Sequence, residues 1–210
     1  MPLFPLGVVF FPEEKLPLHI FEPRYKEMIN FCLENERTFG IVLFREGEMA
    51  EVGCEARIRR VLKRYEDGRL DVEVEGMRRF RIAEIHRDRA YLTAAVETFD
   101  EPDVQVAKNL RERLITQHIK LLELAGRVVR PTQYQSVRRV SFLIAHNAGL
   151  TLDQKLEVLK LDTENERIAF LVRHLSAFLP RVEKVESFRR KVRSNGHIRD
   201  FPPADEGEED

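Results

Sequence analysis

Cysteine, tryptophan and long apolar runs are scarce or absent in this sequence of 210 residues, and each absence excludes a class of protein. The only two cysteines, Cys32 and Cys54, do not form a CxxC pair, and two thiols alone cannot complete a tetrahedral metal site. No uninterrupted apolar segment approaches the roughly twenty residues that span a bilayer. The amino terminus carries prolines and lacks a positively charged region, unlike a signal peptide. We therefore expect reduced cysteines, no metal or cofactor, no membrane contact and a cytoplasmic location.

An excess of charge of either sign is also missing, since 35 basic residues face 36 acidic ones and the formal net charge is −1. No global field therefore draws the protein to nucleic acid. A local basic face could still form on predicted strands from Arg57, Arg59, Arg60, Lys63, Arg64, Arg78, Arg79 and Arg81. Asp71, Glu73 and Glu75 lie between those strands and should neutralise most of this face, so we do not expect nucleic acid as a partner. An RNA-binding protein of the PUA-like type is kept as the alternative function.

Motifs for phosphate binding and for serine catalysis are absent as well. The sequence has no G-x-x-x-x-G-K-[ST] loop, and none of its five serines lies in a G-x-S-x-G elbow. In the tightest polar cluster, His19 could act as a base oriented by Glu22, because an imidazole near a carboxylate titrates close to neutrality. We favour a structural interpretation, in which His19, Glu22 and Arg24 hydrogen-bond backbone ends and fix a corner. We therefore expect no enzyme activity, and a small enzyme built around His19 is the weakest hypothesis.

The opening segment encodes two strands, a turn and the start of a helix. Apolar runs extend over 3–11 and 16–21, and the turn-forming segment 12–15 separates them. β-branched and aromatic residues suit a pleated buried surface, whereas the prolines cannot donate a ladder hydrogen bond and should mark strand ends or edges. Pro23 can occupy the first turn of a helix, and apolar residues then recur at helical spacing. We expect one face of this helix to pack on the strands.

An antiparallel meander is predicted for the next part of the chain. The predicted segments are a strand at 38–44, a loop at 45–53, and strands at 57–65, 69–75, 79–85 and 91–99. Asp67-Gly68 is typical of a two-residue type I′ turn, whose central positions both need positive φ. Such a turn would place Arg64 opposite Asp71 and Arg60 opposite Glu75.

After the segment 100–104, which has the composition of a linker, the apolar periodicity changes from two to 3.6. We place a subdomain boundary there. A long amphipathic helix follows and ends before Gly126, and a second apolar stripe runs from Tyr134 to Ala148. The second half of the chain is therefore predicted to be helical.

Two capping boxes lie in this helical half, Thr151-Leu-Asp-Gln154 and Thr163-Glu-Asn-Glu166, and we expect a short helix after each. A further helix is predicted at Pro180–Arg193. It carries the basic residues Arg181, Lys184, Arg189, Arg190, Lys191 and Arg193. An acidic tail follows at 195–210, and we expect it to be disordered because it cannot bury enough apolar surface. The basic helix could bind this tail or an acidic partner, or it could simply be solvated.

The opening motif also carries a family resemblance. The chain is similar to the start of the Lon protease amino-terminal domain in the run PLFPLGVVFFPEEKLPLHIFEPRYKEMI, and the similarity continues through Phe39–Leu43, Asp67–Leu70 and Glu75–Phe80. The resemblance implies an α+β fold with a PUA-like antiparallel β-barrel and one packed helix over 1–100, followed by an all-α helical bundle over 104–194. Full-length Lon proteases carry an ATPase and a serine-lysine protease behind this domain, and because their motifs are missing here we expect a stand-alone form without them.

In function, the resemblance implies a non-catalytic module that recognises protein substrates. We expect it to bind exposed apolar or extended segments of unfolded or degron-bearing proteins, as an adaptor or holdase, with a separate ATP-dependent protease as a further candidate partner. A large apolar concavity between barrel and helices would favour this function.

Two sets of residues are candidates for the site. Phe11, Phe44 and Met49 lie at predicted strand ends or in loops, and exposed they would form a small apolar surface suited to varied peptides. The predicted structural corner consists of His19, Glu22, Pro23, Arg24 and Tyr25.

Overall fold

The computed structural model describes residues 1–99, 102, 105–135 and 137–195, with side chains up to residue 189. Its strands are β1 (Leu3–Leu6), β2 (Lys15–Ile20), β3 (Phe39–Arg45), β4 (Glu48–Arg64), β5 (Leu70–His86) and β6 (Thr93–Thr98). Its helices are α1 (Pro23–Glu34), α2 (Lys108–Leu124), α3 (Val140–Ala145), α4 (Leu152–Lys160) and α5 (Glu164–Asn195), with a 3₁₀ turn at Pro131–Tyr134. The α+β class and the helical second half are as predicted. The boundary at 100–104 lies almost entirely outside the described residues, and the tail beyond Asn195 lies wholly outside them.

The strands form a mixed sheet in the order β1-β3-β4-β5-β2, with β6 paired to the far end of β5. Backbone hydrogen bonds from Leu3 N to Leu92 O and from Ala94 N to Met1 O, both 2.8 Å, join the start of the chain to β6 and close a barrel. Contrary to the antiparallel prediction, β1 pairs with β3 in parallel. The predicted strand at 3–11 is shorter than expected, because the chain leaves the sheet after Leu6.

Two hairpins differ from their predicted forms. The loop expected at 45–53 is a tight turn, in which Arg45 pairs with Glu48 and both Glu46 and Gly47 have positive φ. At Asp67-Gly68, by contrast, only Gly68 has positive φ, and Tyr65 N donates to Arg69 O around a three-residue loop. A three-residue loop with one left-handed glycine inserts a bulge that shifts the register.

The shifted register changes the cross-strand partners that the two-residue turn predicted. Arg64 lies opposite Leu70 rather than Asp71, and a further register shift between Val61 and Lys63 places Arg60 opposite Glu73 rather than Glu75. The break expected between 75 and 79 is also absent, because β5 runs unbroken through Gly76. A Cβ at Gly76 would collide with the carbonyl oxygen of Phe11, so only glycine allows this close backbone crossing.

Helix α1 covers one side of the barrel, as predicted. It begins at Pro23, and it buries Tyr25, Met28, Ile29 and Cys32 against the strands. Burial raises the pKa of the Cys32 thiol to about 11, which keeps this sulfur protonated and unreactive near neutral pH.

The helical half contains both predicted capping boxes. Thr151 and Gln154 satisfy each other's backbone N–H groups at the start of α4, and Thr163 and Glu166 do the same at the start of α5. The prediction of separate helices after Thr163 and from Pro180 is wrong, since α5 is one helix of 32 residues with Pro180 inside it. The proline only removes one backbone donor, and the helix continues on both sides of it.

Barrel and helices share one apolar core. Phe11 is fully buried, and its ring stacks on that of Phe142 in α3 with a centroid distance of 5.6 Å. Beside this pair, Arg79 of β5 is 3% exposed and donates to the carbonyl oxygens of Leu159 at 2.9 Å and Leu161 at 2.6 Å. A buried guanidinium that water cannot reach must donate its hydrogen bonds to protein acceptors. The acceptors of Arg79 are carbonyl oxygens at the carboxyl end of α4, so this side chain caps that helix.

Candidate functional site

An open groove of about 1210 Å³ lies on the barrel, between the two end strands of the sheet path. Residues from β1, β2, the start of α1, the β3–β4 turn and the β5–β6 loop line it. These residues are Phe4, Pro5, Leu6, Pro17, Leu18, His19, Ile20, Phe21, Glu22, Arg24, Tyr25, Phe44, Gly47, Met49, Ile85, Arg87, Arg89, Ala90, Tyr91 and Leu92. At the junction of barrel and helices, where a large apolar concavity would have favoured peptide binding, the cavity beside Phe142 measures only about 390 Å³, which weakens the case for binding there.

The rim of this groove exposes large apolar side chains. Phe21, Phe44 and Ile85 are exposed by 59%, 45% and 38%, although each is apolar. Phe44 lies opposite Met49 across the tight β3–β4 turn, and Met49 is half-buried. Exposed apolar side chains that converge on one concavity are typical of an interaction surface rather than of a folded core.

The predicted corner residues lie together at one end of the groove. Pro23 begins α1, and Arg24 bonds Glu22 at 2.7 Å while its guanidinium carbon stands 4.7 Å from the centre of the Tyr25 ring. His19 Nδ1 lies 2.5 Å from Asp71 Oδ1, so its carboxylate partner is Asp71 and not Glu22. The hypothesis of a base oriented by Glu22 is therefore wrong.

Asp71 is held by two side chains at the edge of the groove. It bonds His19, and it accepts a hydrogen bond of 2.8 Å from the Tyr65 hydroxyl. The His19 and Tyr65 hydrogen bonds lower the pKa of the Asp71 carboxyl below its usual range. Asp71 thus stays ionised, and its charge is already engaged within the protein.

Phe11 does not belong to this site. The prediction that it could be exposed at a strand end is wrong, because its ring is fully buried against Phe142. Phe44 and Met49, the other two candidates, do lie on the groove. Peptide binding by these two residues stays a proposal.

Half of the eight cations considered for RNA, Arg57, Arg60, Arg78 and Arg79, are paired with a carboxylate or buried. Arg57 pairs with Glu75 at 3.0 Å, and Arg60 pairs with Glu73 at 3.1 Å. Arg79 is buried at the junction with the helices. A surface that tracks phosphates needs uncompensated cations, and these pairs reduce the positive charge of the face without removing it.

Sequence reasoning missed the far wall of the groove, formed by Ile85, Arg87 and Arg89. Ile85 lies near the end of β5, and Arg87 and Arg89 lie in the β5–β6 loop. This loop comes close to β1 only because the backbone hydrogen bond between Ala94 and Met1 closes the barrel. No short-range motif marks such closure. Phe21 ends the apolar run 16–21, and its position directly before Glu22-Pro23, where α1 begins, is the one local signal of its exposure.

Neither a metal-ligand cluster nor a membrane span is found among the residues that the structure describes. Within them no group of three or more His, Cys, Asp or Glu side chains could hold a metal ion. None of their helices is both long and apolar enough to cross a bilayer.

The chain is thus an α+β domain, with one helix packed on a barrel, an open groove of mixed apolar and charged lining, and a helical second half. The chain belongs to the family of the ATP-dependent protease La (LON) substrate-binding domain, whose model matches residues 1–177. The match covers the barrel, α1 to α4 and the first half of α5.

Similar proteins agree with this assignment. The chain is 30% identical to the Lon protease of Lawsonia intracellularis, and this match covers 84% of the chain and 23% of that protein. It is 25% identical to the Lon protease of Flavobacterium johnsoniae, and this match covers 92% of the chain and 26% of that protein. It therefore spans about a quarter of these curated relatives. The crystal structure of a Lon N-terminal domain protein from Xanthomonas campestris matches with a TM-score of 0.66 and 26% identity, covering 82% of this chain and 96% of that one. The N-terminal domain of Mycobacterium avium complex Lon protease shares the fold, with a TM-score of 0.58 and 20% identity, over 83% and 97%.

Proposed function

We propose that this chain recognises protein substrates by holding an exposed apolar, extended segment in the groove between β1 and β2. The observation that carries the proposal is the exposure of Phe21 and Phe44, 59% and 45%, on the rim of one concavity. Covering these rings with apolar side chains of a partner removes apolar surface from water, which is favourable. Membership of a substrate-binding domain family supports a recognition role.

The shape of the groove suits an extended chain. Its volume of about 1210 Å³ exceeds that of a typical small-molecule pocket, which is roughly 300–1000 Å³. β2 pairs on one side with β5 and lies at the end of the sheet path, so its other side faces no strand among the described residues. An extended segment can pair with this side of β2 through backbone hydrogen bonds, which do not depend on the identity of its side chains. The rim of the groove can then contact the apolar residues of the segment.

Met49 adds tolerance of different partners to this surface. A thioether side chain is flexible and polarisable, so it can fill irregular gaps against several apolar shapes. Recognition of unfolded or degron-bearing proteins requires such tolerance, because their apolar segments differ in sequence. The module would then act as an adaptor or holdase, with a separate ATP-dependent protease as a candidate partner.

The proposal is tested with the double variant Phe21→Ser/Phe44→Ser and a fluorescently labelled, permanently unfolded client protein. Truncating the two exposed aromatic rings of the rim should weaken binding about tenfold or more, measured by fluorescence anisotropy. The matched control is Phe188→Ser on α5, because Phe188 is 68% exposed but does not line the groove. Its binding should equal that of the unchanged protein.

Two results would contradict the proposal. One is client binding that the double variant retains in full, and the other is an equal loss in Phe188→Ser. Circular dichroism of each variant checks the fold, which should not change because all three rings are already exposed.

A further inference from the structure

We propose that the groove prefers segments that carry a carboxylate beside their apolar residues, and that Arg87 supplies the positive charge that selects them. This inference rests on the proposed function, because it names the chemistry of the segment that the groove would hold. The inference is drawn from the charged side chains that line the groove. Most of these side chains already make an ion pair or a hydrogen bond within the protein.

Arg24, Arg89 and Glu22 are the partnered charges of the lining. Arg24 and Glu22 neutralise each other across 2.7 Å. Arg89 donates to the Tyr91 hydroxyl at 2.9 Å and places its guanidinium carbon 5.0 Å from the centre of the Phe31 ring. An incoming segment would have to break the Arg24–Glu22 pair to use either charge, whereas the contacts of Arg89 fix its side chain without neutralising it.

Arg87 differs from these three residues. It is exposed, it lines the same concavity as Phe21 and Phe44, and no ion pair or hydrogen bond joins its side chain to any residue that the structure describes. Asp71, the carboxylate at the edge of the groove, is already bonded to His19 and Tyr65. Among its described side chains the groove therefore carries two arginines without a carboxylate partner, Arg87 and Arg89, and of these only Arg87 has no hydrogen bond that fixes its position.

A carboxylate on the bound segment complements this arrangement. A guanidinium binds a carboxylate through two parallel hydrogen bonds in a fixed plane, and it repels the ammonium of a lysine. Because Arg87 is exposed, water screens the interaction, and its effect is modest. We expect about threefold tighter binding of a segment with a carboxylate than of a neutral one at low salt, and less at high salt.

The test uses four labelled peptides with one shared core of Phe, Val and Leu. Three have an amidated carboxyl terminus and differ only in the flanking residue, which is Asp, Asn or Lys. The fourth has the Asn flank and a free terminal carboxylate, so it distinguishes a side-chain carboxylate from a chain end. Dissociation constants are measured by anisotropy at about 50 mM and about 500 mM NaCl for the unchanged protein, for Arg87→Glu and for the control Arg59→Glu. Arg59 is an exposed arginine of β4 that does not line the groove.

The inference predicts that Asp-flanked peptide binds tightest and Lys-flanked peptide weakest, that Arg87→Glu reverses this order, and that Arg59→Glu keeps it. Equal affinities for the three flanks would overturn the charge preference while leaving the proposed function standing. A preference that survives Arg87→Glu would also overturn it, since another group would then be responsible. If none of the peptides binds and the unfolded client does not bind either, the proposed function fails with it.

Discussion

Two apolar surfaces of the same barrel differ in burial: one is covered by the helices and the other is exposed to solvent. At the junction with the helices, Phe11 is fully buried against Phe142, and Arg79 gives its hydrogen bonds to carbonyl oxygens of the α4–α5 turn. Around the groove, Phe44 exposes 45% of its surface, and Arg87 has no bonding partner among the described residues. The same two residue types thus stabilise the fold on one side and remain available to a partner on the other.

This difference indicates which residues contribute to the free energy of folding and which are available for binding. Buried aromatic rings and a buried, fully bonded guanidinium contribute to folding, because any loss leaves a cavity or unpaired carbonyl groups. Exposed rings contribute little until a partner covers them. Substitutions of matched residues on the two surfaces should therefore separate stability from binding.

The largest expected effect comes from comparing two phenylalanines. Phe11→Ala should lower the free energy of unfolding by about 4 kcal/mol, because it opens a cavity in the core shared by barrel and helices. Phe44→Ala should change it by less than about 0.5 kcal/mol, since the ring is already half in water. Urea denaturation followed by circular dichroism measures both. Similar losses in the two variants would contradict the distinction between junction and groove.

A smaller but still large effect is expected from the buried arginine. Arg79→Met keeps much of the side-chain volume but removes the donors to Leu159 and Leu161, and we expect a loss of about 3 kcal/mol. Arg81→Met, two residues along β5 and exposed, is the control and should cost less than about 1 kcal/mol. Thermal unfolding of the two proteins makes the comparison, and an unchanged midpoint in Arg79→Met would show that Arg79 does not hold the helices on the barrel.

The smallest expected effect depends on pH and lies beside the junction. His146 Nδ1 is 2.8 Å from Glu14 Oε1, and this hydrogen bond raises the pKa of His146 above its usual 6.5, although burial and the charges of Lys155 and Arg127 oppose the shift. A raised pKa means that the folded state binds the proton more tightly than the unfolded state. The stability contributed is fully present below pH 6.5 and is lost as the pH rises through the folded pKa.

The variant His146→Gln tests this dependence. Its deficit in free energy of unfolding, relative to the unchanged protein, should be larger at about pH 6 than at about pH 9. His118, whose pKa burial lowers, titrates in both proteins, and its effect cancels in the difference. A deficit that does not vary with pH would contradict the role of the His146–Glu14 pair.

Local signals predicted the elements well. Pro23 at a helix start and the capping boxes at Thr151 and Thr163 act over a few residues, so they were read correctly from the sequence. Turn type was harder to predict. Asp67-Gly68 formed a three-residue loop with a bulge, whereas the tight turn with two positive φ angles lies at Glu46-Gly47.

The sequence by itself determined the family through its opening motif, and the α+β class and the helical second half through composition, periodicity and contacts between near neighbours. Only the tertiary structure decided that β1 pairs in parallel with β3, that Phe11 is buried while Phe44 is exposed, and that the β5–β6 loop forms one wall of the groove. The physical reason is sequence separation. Met1 bonds Ala94 and Phe11 stacks on Phe142, and no local pattern specifies which of many distant partners a strand or a ring will meet.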